Sequence, residues 1–264
     1  MAFTDFNADG EPAVEPTCDQ KYIFDVKGWI AFPGVLADDD IEEMREFCLK
    51  LKTEPESVPE PERCGIGGPL LKLADHPIVL GFMNEFVACG NASQECYGFR
   101  MESSFVTQRK AGSDNFQPHG GGGLNMFPAN SHVYHLRPGE VHSGLTRVVW
   151  EMNPVEEGCG GTLFVSGSHK AAFHRPDSLQ DPQSPLWDTY SCPAGSLLIF
   201  TEAITHTGTE WKTKDRHRLA IFNSYNTMGS KWHKWEPHPD LLAKMCPKRQ
   251  SLFRPVYCEE NPFG

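Results

Sequence analysis

Helical spacing ends near residue 90 of this chain, and from about residue 97 the texture is that of strands. Apolar residues at 41, 44, 47, 48 and 51 fall one helical turn apart. Asp38–Asp40 supply a cap and favourable charge, so a helix is predicted over Asp38–Leu51. A second amphipathic stretch runs from Asp75 to Ala88, with Asp75 as cap and Pro77 in the first turn, where its missing N–H costs little. Tyr22-Ile23-Phe24 and Trp29-Ile30-Ala31-Phe32 flank Gly28 and read as an opening strand or turn. Beyond residue 97, Phe99–Gln108, Gly144–Met152, Thr162–Val165, Leu197–Phe200 and Leu219–Tyr225 are rich in β-branched and aromatic residues between Gly/Pro/Asn/Asp clusters. Helices first and strands afterwards, without βα alternation, predict a mainly β sandwich or barrel flanked by N-terminal helices.

The 264 residues suffice for one domain with a sizeable core, expected over 21–264 behind a loose arm at 1–20. Long loops are expected at 110–143 and 170–192, and loops of that length in a domain are more often functional than idle. A net charge of -11 argues against nucleic acid or an anionic membrane as partner and leaves a small molecule as the expected substrate. No apolar run approaches the roughly 20 residues that span a bilayer. Nine scattered cysteines without a Cys-x-x-Cys, and an acidic start without an apolar run, fit a cytoplasmic protein with reduced thiols. Oligomeric state is not legible.

Three residues carry chemistry. His119 lies in Gln117-Pro118-His119-Gly120-Gly121, His206 follows the buried-strand run Ser196–Phe200, and Arg218 stands twelve residues beyond His206. Imidazole nitrogens suit iron. A guanidinium fork on the next strand suits the far carboxylate of a dicarboxylate such as 2-oxoglutarate. Taken singly, each histidine reads as a satisfied loop residue and Arg218, beside Arg216, as a solvated charge. Their order and spacing argue for the joint reading.

From Phe24 to Tyr225 the chain resembles the phytanoyl-CoA dioxygenase family of Fe(II)/2-oxoglutarate oxygenases. The resemblance runs through Phe24-Asp25-Val26-Lys27-Gly28-Trp29, the glycine-led strand and turn Gly160-Gly161-Thr162-Leu163-Phe164-Val165-Ser166-Gly167-Ser168-His169-Lys170, then His206, Arg218 and Tyr225. It implies a double-stranded β-helix (a jelly roll of cupin type), with Fe(II), 2-oxoglutarate and O2 as cofactors. It also implies His119 and His206 as metal ligands and Arg218 as the 2-oxoglutarate anchor. Ser166 replaces the family's usual proline, a minor departure. Gly121 replaces the acid of the His-x-Asp motif, which removes a ligand. In that respect the chain resembles radical halogenases, in which chloride takes the vacated position.

A carboxylate from elsewhere is the other way to complete the site. Glu151 lies mid-strand, with a parity that places it inward, or else is an outward charge. Glu202 shares a side with His206 if its strand stays regular, but would then lie ~13 Å away, which favours a substrate or supporting role. Asp114 is the third candidate. Hydroxylation of a small molecule, halogenation, and a non-catalytic metal- or ligand-binding jelly roll are the three functional readings.

Overall fold

The structure is a computed structural model and describes residues 4–89, 92–121 and 131–256. Its described helices are α1 (Cys18–Lys27), α2 (Asp38–Thr53), α3 (Pro77–Phe86), α4 (Pro239–Lys244) and α5 (Pro247–Gln250). Its described strands are β1 (Trp29–Phe32), β2 (Phe99–Arg109), β3 (Tyr134–Arg137), β4 (Glu140–Ser143) and β5 (Thr146–Glu151), then β6 (Thr162–Val165), β7 (Ser196–Thr201), β8 (Thr205–Gly208) and β9 (Arg218–Thr227).

Five strands form one antiparallel sheet in the order β1-β7-β5-β9-β2. Period-2 alternation sorts its two faces. Val148, Trp150, Leu197, Ile199, Leu219 and Ile221 point toward the helices and join Phe24, Met44, Leu70 and Phe82 in the larger core. Val149, Leu198, Phe200 and Ala220 point the other way and pack with Phe164, Ile204 and Trp211. This second face is covered by the antiparallel β6–β8 ladder, which bridges at His119↔His206 and Phe164↔Asp188 extend. The mainly β architecture with a few helices agrees with the expected class. No described helix is long and apolar enough to cross a membrane.

Several local expectations change. Tyr22-Ile23-Phe24 is helical, within α1, because Thr17 and Gln20 form a capping box: Thr17 Oγ1 accepts from Gln20 N at 3.2 Å and Gln20 Oε1 from Thr17 N at 2.8 Å. Thr17→Ala is expected to cost about 1 kcal/mol of stability, read as a lower urea midpoint at unchanged slope. Asp38–Asp40 sit in the first turn of α2 and supply charge rather than a cap; the N-cap is Ala37. His76, not Asp75, caps α3. Asp75 is buried and bonded to Arg249, which also reaches Asp9 at 2.6 Å. Within the segment expected as a loose arm, Thr4 and Asn7 are buried and Thr4 Oγ1 donates to Ser93 O at 2.9 Å, which ties the segment to the body at these points.

Candidate metal centre

His119 and His206 face each other across a two-bond antiparallel bridge, His119 N to His206 O at 3.0 Å and His206 N to His119 O at 2.9 Å. Directly paired residues project side chains to one face, and the ring centroids lie 4.1 Å apart. Each ring is tethered by its Nδ1, to Gln117 O at 2.7 Å and to Ile204 O at 2.9 Å. A carbonyl only accepts, so each Nδ1 carries the proton and each Nε2 keeps a free lone pair, the arrangement that orients metal-ligating histidines. Burial, opposed by Glu202 and aided by His119, lowers the His206 pKa to about 4, so the ring is neutral at physiological pH.

The third group is Glu202, and here the regular-strand expectation fails. β7 ends at Thr201, and Ile204 N closes a turn on Thr201 O at 3.1 Å, folding the chain between sheets. The expected ~13 Å becomes 3.4 Å between Glu202 Oε2 and His206 Nε2. Ligand atoms of His119, Glu202 and His206 all lie within 4.8 Å of one another. Arg147, on the site-facing side of β5, holds the other oxygen: Nε and Nη2 donate to Oε1 at 2.7 and 2.6 Å. Burial works against the Glu202 charge, but Arg147, His206 and His119 outweigh it and hold its pKa at about 2. Each of the three groups thus has one atom pinned and one left to converge. Two imidazoles and a carboxylate form a donor set that fits Fe(II).

At Gly121 the backbone itself calls for glycine. Its φ is +88°, and a Cβ there would stand 2.1 Å from Thr205 Oγ1. At Gly120, with φ +73°, a Cβ would meet Ile204 O at 2.1 Å. The glycines let this segment lie against the turn that carries Glu202, with Gly121 N donating to Ala203 O at 2.9 Å. Gly122 and Gly123 lie outside the described residues.

The remaining candidates stand apart from the three. Asp114 is exposed and accepts from Phe116 N at 2.9 Å. Glu151 is fully buried and points inward, but toward Arg218 rather than the histidines: Arg218 Nε donates to its two oxygens at 3.1 and 3.2 Å and Arg218 Nη2 also bonds it. Tyr190 donates to Glu151 Oε1 at 2.6 Å and accepts from Arg218 Nη2 at 3.0 Å. Arg218 begins β9, beside β5 and β2, whereas His206 lies on β8 beside β6, so the two strands are not the neighbours expected, and Arg218 already carries a carboxylate. Across the strand pair it meets a residue that sequence reasoning missed, Arg109. His135 and His142, expected in a loop beyond His119, instead pair across the β3–β4 hairpin. A cavity of about 560 Å³ opens from His119 between Val165, Ala171, Phe173, Arg175 and Leu179.

No family model and no curated protein matches the chain. Solved structures do. HygX from Streptomyces hygroscopicus, with nickel and 2-oxoglutarate bound, superposes with a TM-score of 0.66 at 21% identity, covering 86% of this chain and 93% of HygX. The non-heme alpha ketoglutarate dependent carbocyclase SnoK from nogalamycin biosynthesis gives 0.58 at 15%, covering 92% and 94%. EctD from S. alaskensis, with bound Fe, gives 0.59 at 12%, covering 84% and 82%. At these identities the likeness establishes the fold, and it is a fold that holds nickel, iron and 2-oxoglutarate in those proteins.

Proposed function

We propose that the chain is an Fe(II)/2-oxoglutarate-dependent oxygenase, similar to the phytanoyl-CoA dioxygenase family, that hydroxylates a C–H bond of a small molecule. One observation carries this reading: ligand atoms of His119, His206 and Glu202 lie within 4.8 Å of one another, with Glu202 Oε2 3.4 Å from His206 Nε2. Bound iron and 2-oxoglutarate would supply the activation of O2 and the oxidising power for the C–H bond. The chain's own residues fix the ligand atoms before metal arrives, through the carbonyls of Gln117 and Ile204 and through Arg147. That tethering limits the reorganisation needed on binding. The buried guanidiniums of the site face suit the far carboxylate of the co-substrate, and the cavity beside His119 gives a substrate access to the site.

The halide alternative is less well supported. It needs an open position beside the histidines, and Glu202 offers a carboxylate there while the Cβ direction of Gly121 is filled by Thr205.

Anaerobic titration with Fe(II) and 2-oxoglutarate tests the proposal. The expected result is a weak visible charge-transfer band, lost in His206→Ala. A wild-type protein that binds Fe(II) but gives no band with 2-oxoglutarate would refute it and leave a metal-binding jelly roll.

A further inference from the structure

The buried charge beyond the metal centre does not balance. Arg109 ends β2 and stands directly opposite Arg218, which begins β9. Like charges in a cross-strand pair repel. Both are buried, at 8% and 2% exposure. Glu151 offsets one of them through its bonds to Arg218. Arg109 has only neutral partners: Nη1 donates to Asn115 Oδ1 at 2.6 Å and Thr209 O at 2.8 Å, and Nη2 to Gly161 O at 3.2 Å. Among the described residues no carboxylate lies within ion-pair distance of it. Burial first, and Arg218 second, lower its pKa to about 10, so it remains charged at neutral pH. Two guanidiniums and one carboxylate leave a single buried positive charge, and buried charge is ordinarily paired.

The position of this charge says what would pair it. Both guanidiniums reach the same level of the β6–β8 ladder, Arg218 Nη2 at Thr162 Oγ1 (3.4 Å) and Arg109 at the Gly161 carbonyl. His206 pairs with Phe164, two residues further along β6. That separation is about 7 Å along the strand. 2-Oxoglutarate measures about 5 Å between its end carbons from standard bond lengths. A co-substrate whose keto-acid end lay at the histidines would be long enough to bring its other carboxylate to the arginines.

We propose that Arg109 is a second positioning residue for the far carboxylate of 2-oxoglutarate, acting with Arg218 in a pair that Glu151 leaves one charge short of neutral. This rests on the oxygenase reading. It assigns the anchor to two residues rather than to the one residue the family resemblance supplies.

The test compares 2-oxoglutarate with pyruvate, which keeps the keto-acid end and lacks the far carboxylate. Binding of each to the Ni(II)-loaded protein is measured by calorimetry, after Ni(II) affinity itself. Arg109→Gln is expected to weaken 2-oxoglutarate about 10- to 100-fold, the loss typical of a charge-assisted hydrogen bond, and pyruvate less than about 2-fold. Arg109→Lys, which keeps the charge, is expected to recover part of the 2-oxoglutarate loss. Equal weakening of both ligands would mean that Arg109 only ties down the Gly161 and Thr209 carbonyls, and would overturn the proposal, as would unchanged 2-oxoglutarate affinity. If Arg109→Gln loses Ni(II) binding through misfolding, the ligand ratio in the uncharged Arg109→Met decides: a ratio equal to wild type overturns the proposal and a lowered one supports it. A wild-type protein that fails to bind Ni(II) or 2-oxoglutarate marks failure of the oxygenase reading instead.

Discussion

Glu202→Gln is expected to weaken Fe(II) binding by at least about 100-fold, approaching the effect of His206→Ala. The substitution keeps the shape of the side chain and a carbonyl oxygen for Arg147. It removes the negative charge that two neutral imidazoles cannot supply. Arg147→Met, which leaves the carboxylate in place but frees its pinned oxygen, should cost less, in the 10- to 100-fold range usual for groups that orient a ligand. The ranking is the informative part, because a purely structural Glu202–Arg147 ion pair would make the two variants equivalent. Competition of a metal-sensitive dye against Fe(II) under anaerobic conditions measures both. Metal affinity in Glu202→Gln within about 3-fold of wild type would remove Glu202 from the metal and return solvent or chloride to the third position. In that event a shift of the Fe(II) spectrum with added chloride would identify the halide.

Legibility in the sequence followed the strength of local periodicity. β6 is legible residue for residue, because Gly160-Gly161 and Ser166-Gly167 bracket a four-residue run of β-branched and apolar residues. α1 is not, since only Phe24 on it is buried while Tyr22, Ile23 and Val26 remain exposed, leaving no apolar stripe to read. Its signal was the Thr17-x-x-Gln20 capping box, a motif independent of hydrophobic pattern. The β3–β4 hairpin was hidden because its strands are short and mix polar with apolar residues on their exposed positions; its Gly139 turn was the available cue.

The site shows the same division. His206 and Arg218 could be found because each lies close to a strand whose pattern is strong, and His119 because of the Gln117-Pro118-His119-Gly120-Gly121 run in which it stands. Glu202 was misplaced because Thr201-Glu202-Ala203-Ile204 contains neither Gly nor Pro, so nothing local announces the turn. That turn is set by tertiary partners: Glu202 N on Leu145 O and Thr205 N on Ser168 Oγ. Arg109 was missed because a charged residue ending a strand ordinarily reads as solvated. Only the register Arg109↔Arg218 reveals that two cations share one interior.

Gly121→Asp is expected to destabilise the protein and to leave metal affinity no better than wild type, although on the family pattern it would rebuild the missing ligand. A non-glycine residue at φ +88° costs about 1–3 kcal/mol in backbone strain. A Cβ placed 2.1 Å from Thr205 Oγ1 adds about 1–3 kcal/mol of overpacking. Gly121→Ala carries both penalties without the carboxylate, so its urea midpoint should fall by nearly as much as that of Gly121→Asp. The steric part is separable, since Thr205→Ala removes the clashing hydroxyl and leaves the next atom of residue 205 at 3.3 Å. Gly121→Ala combined with Thr205→Ala should therefore be more stable than the sum of the single changes predicts, a coupling read from a double-mutant cycle. If Gly121→Asp instead kept its stability and bound Fe(II) more tightly, the position beside the histidines would be open, and Glu202 would not be its native occupant.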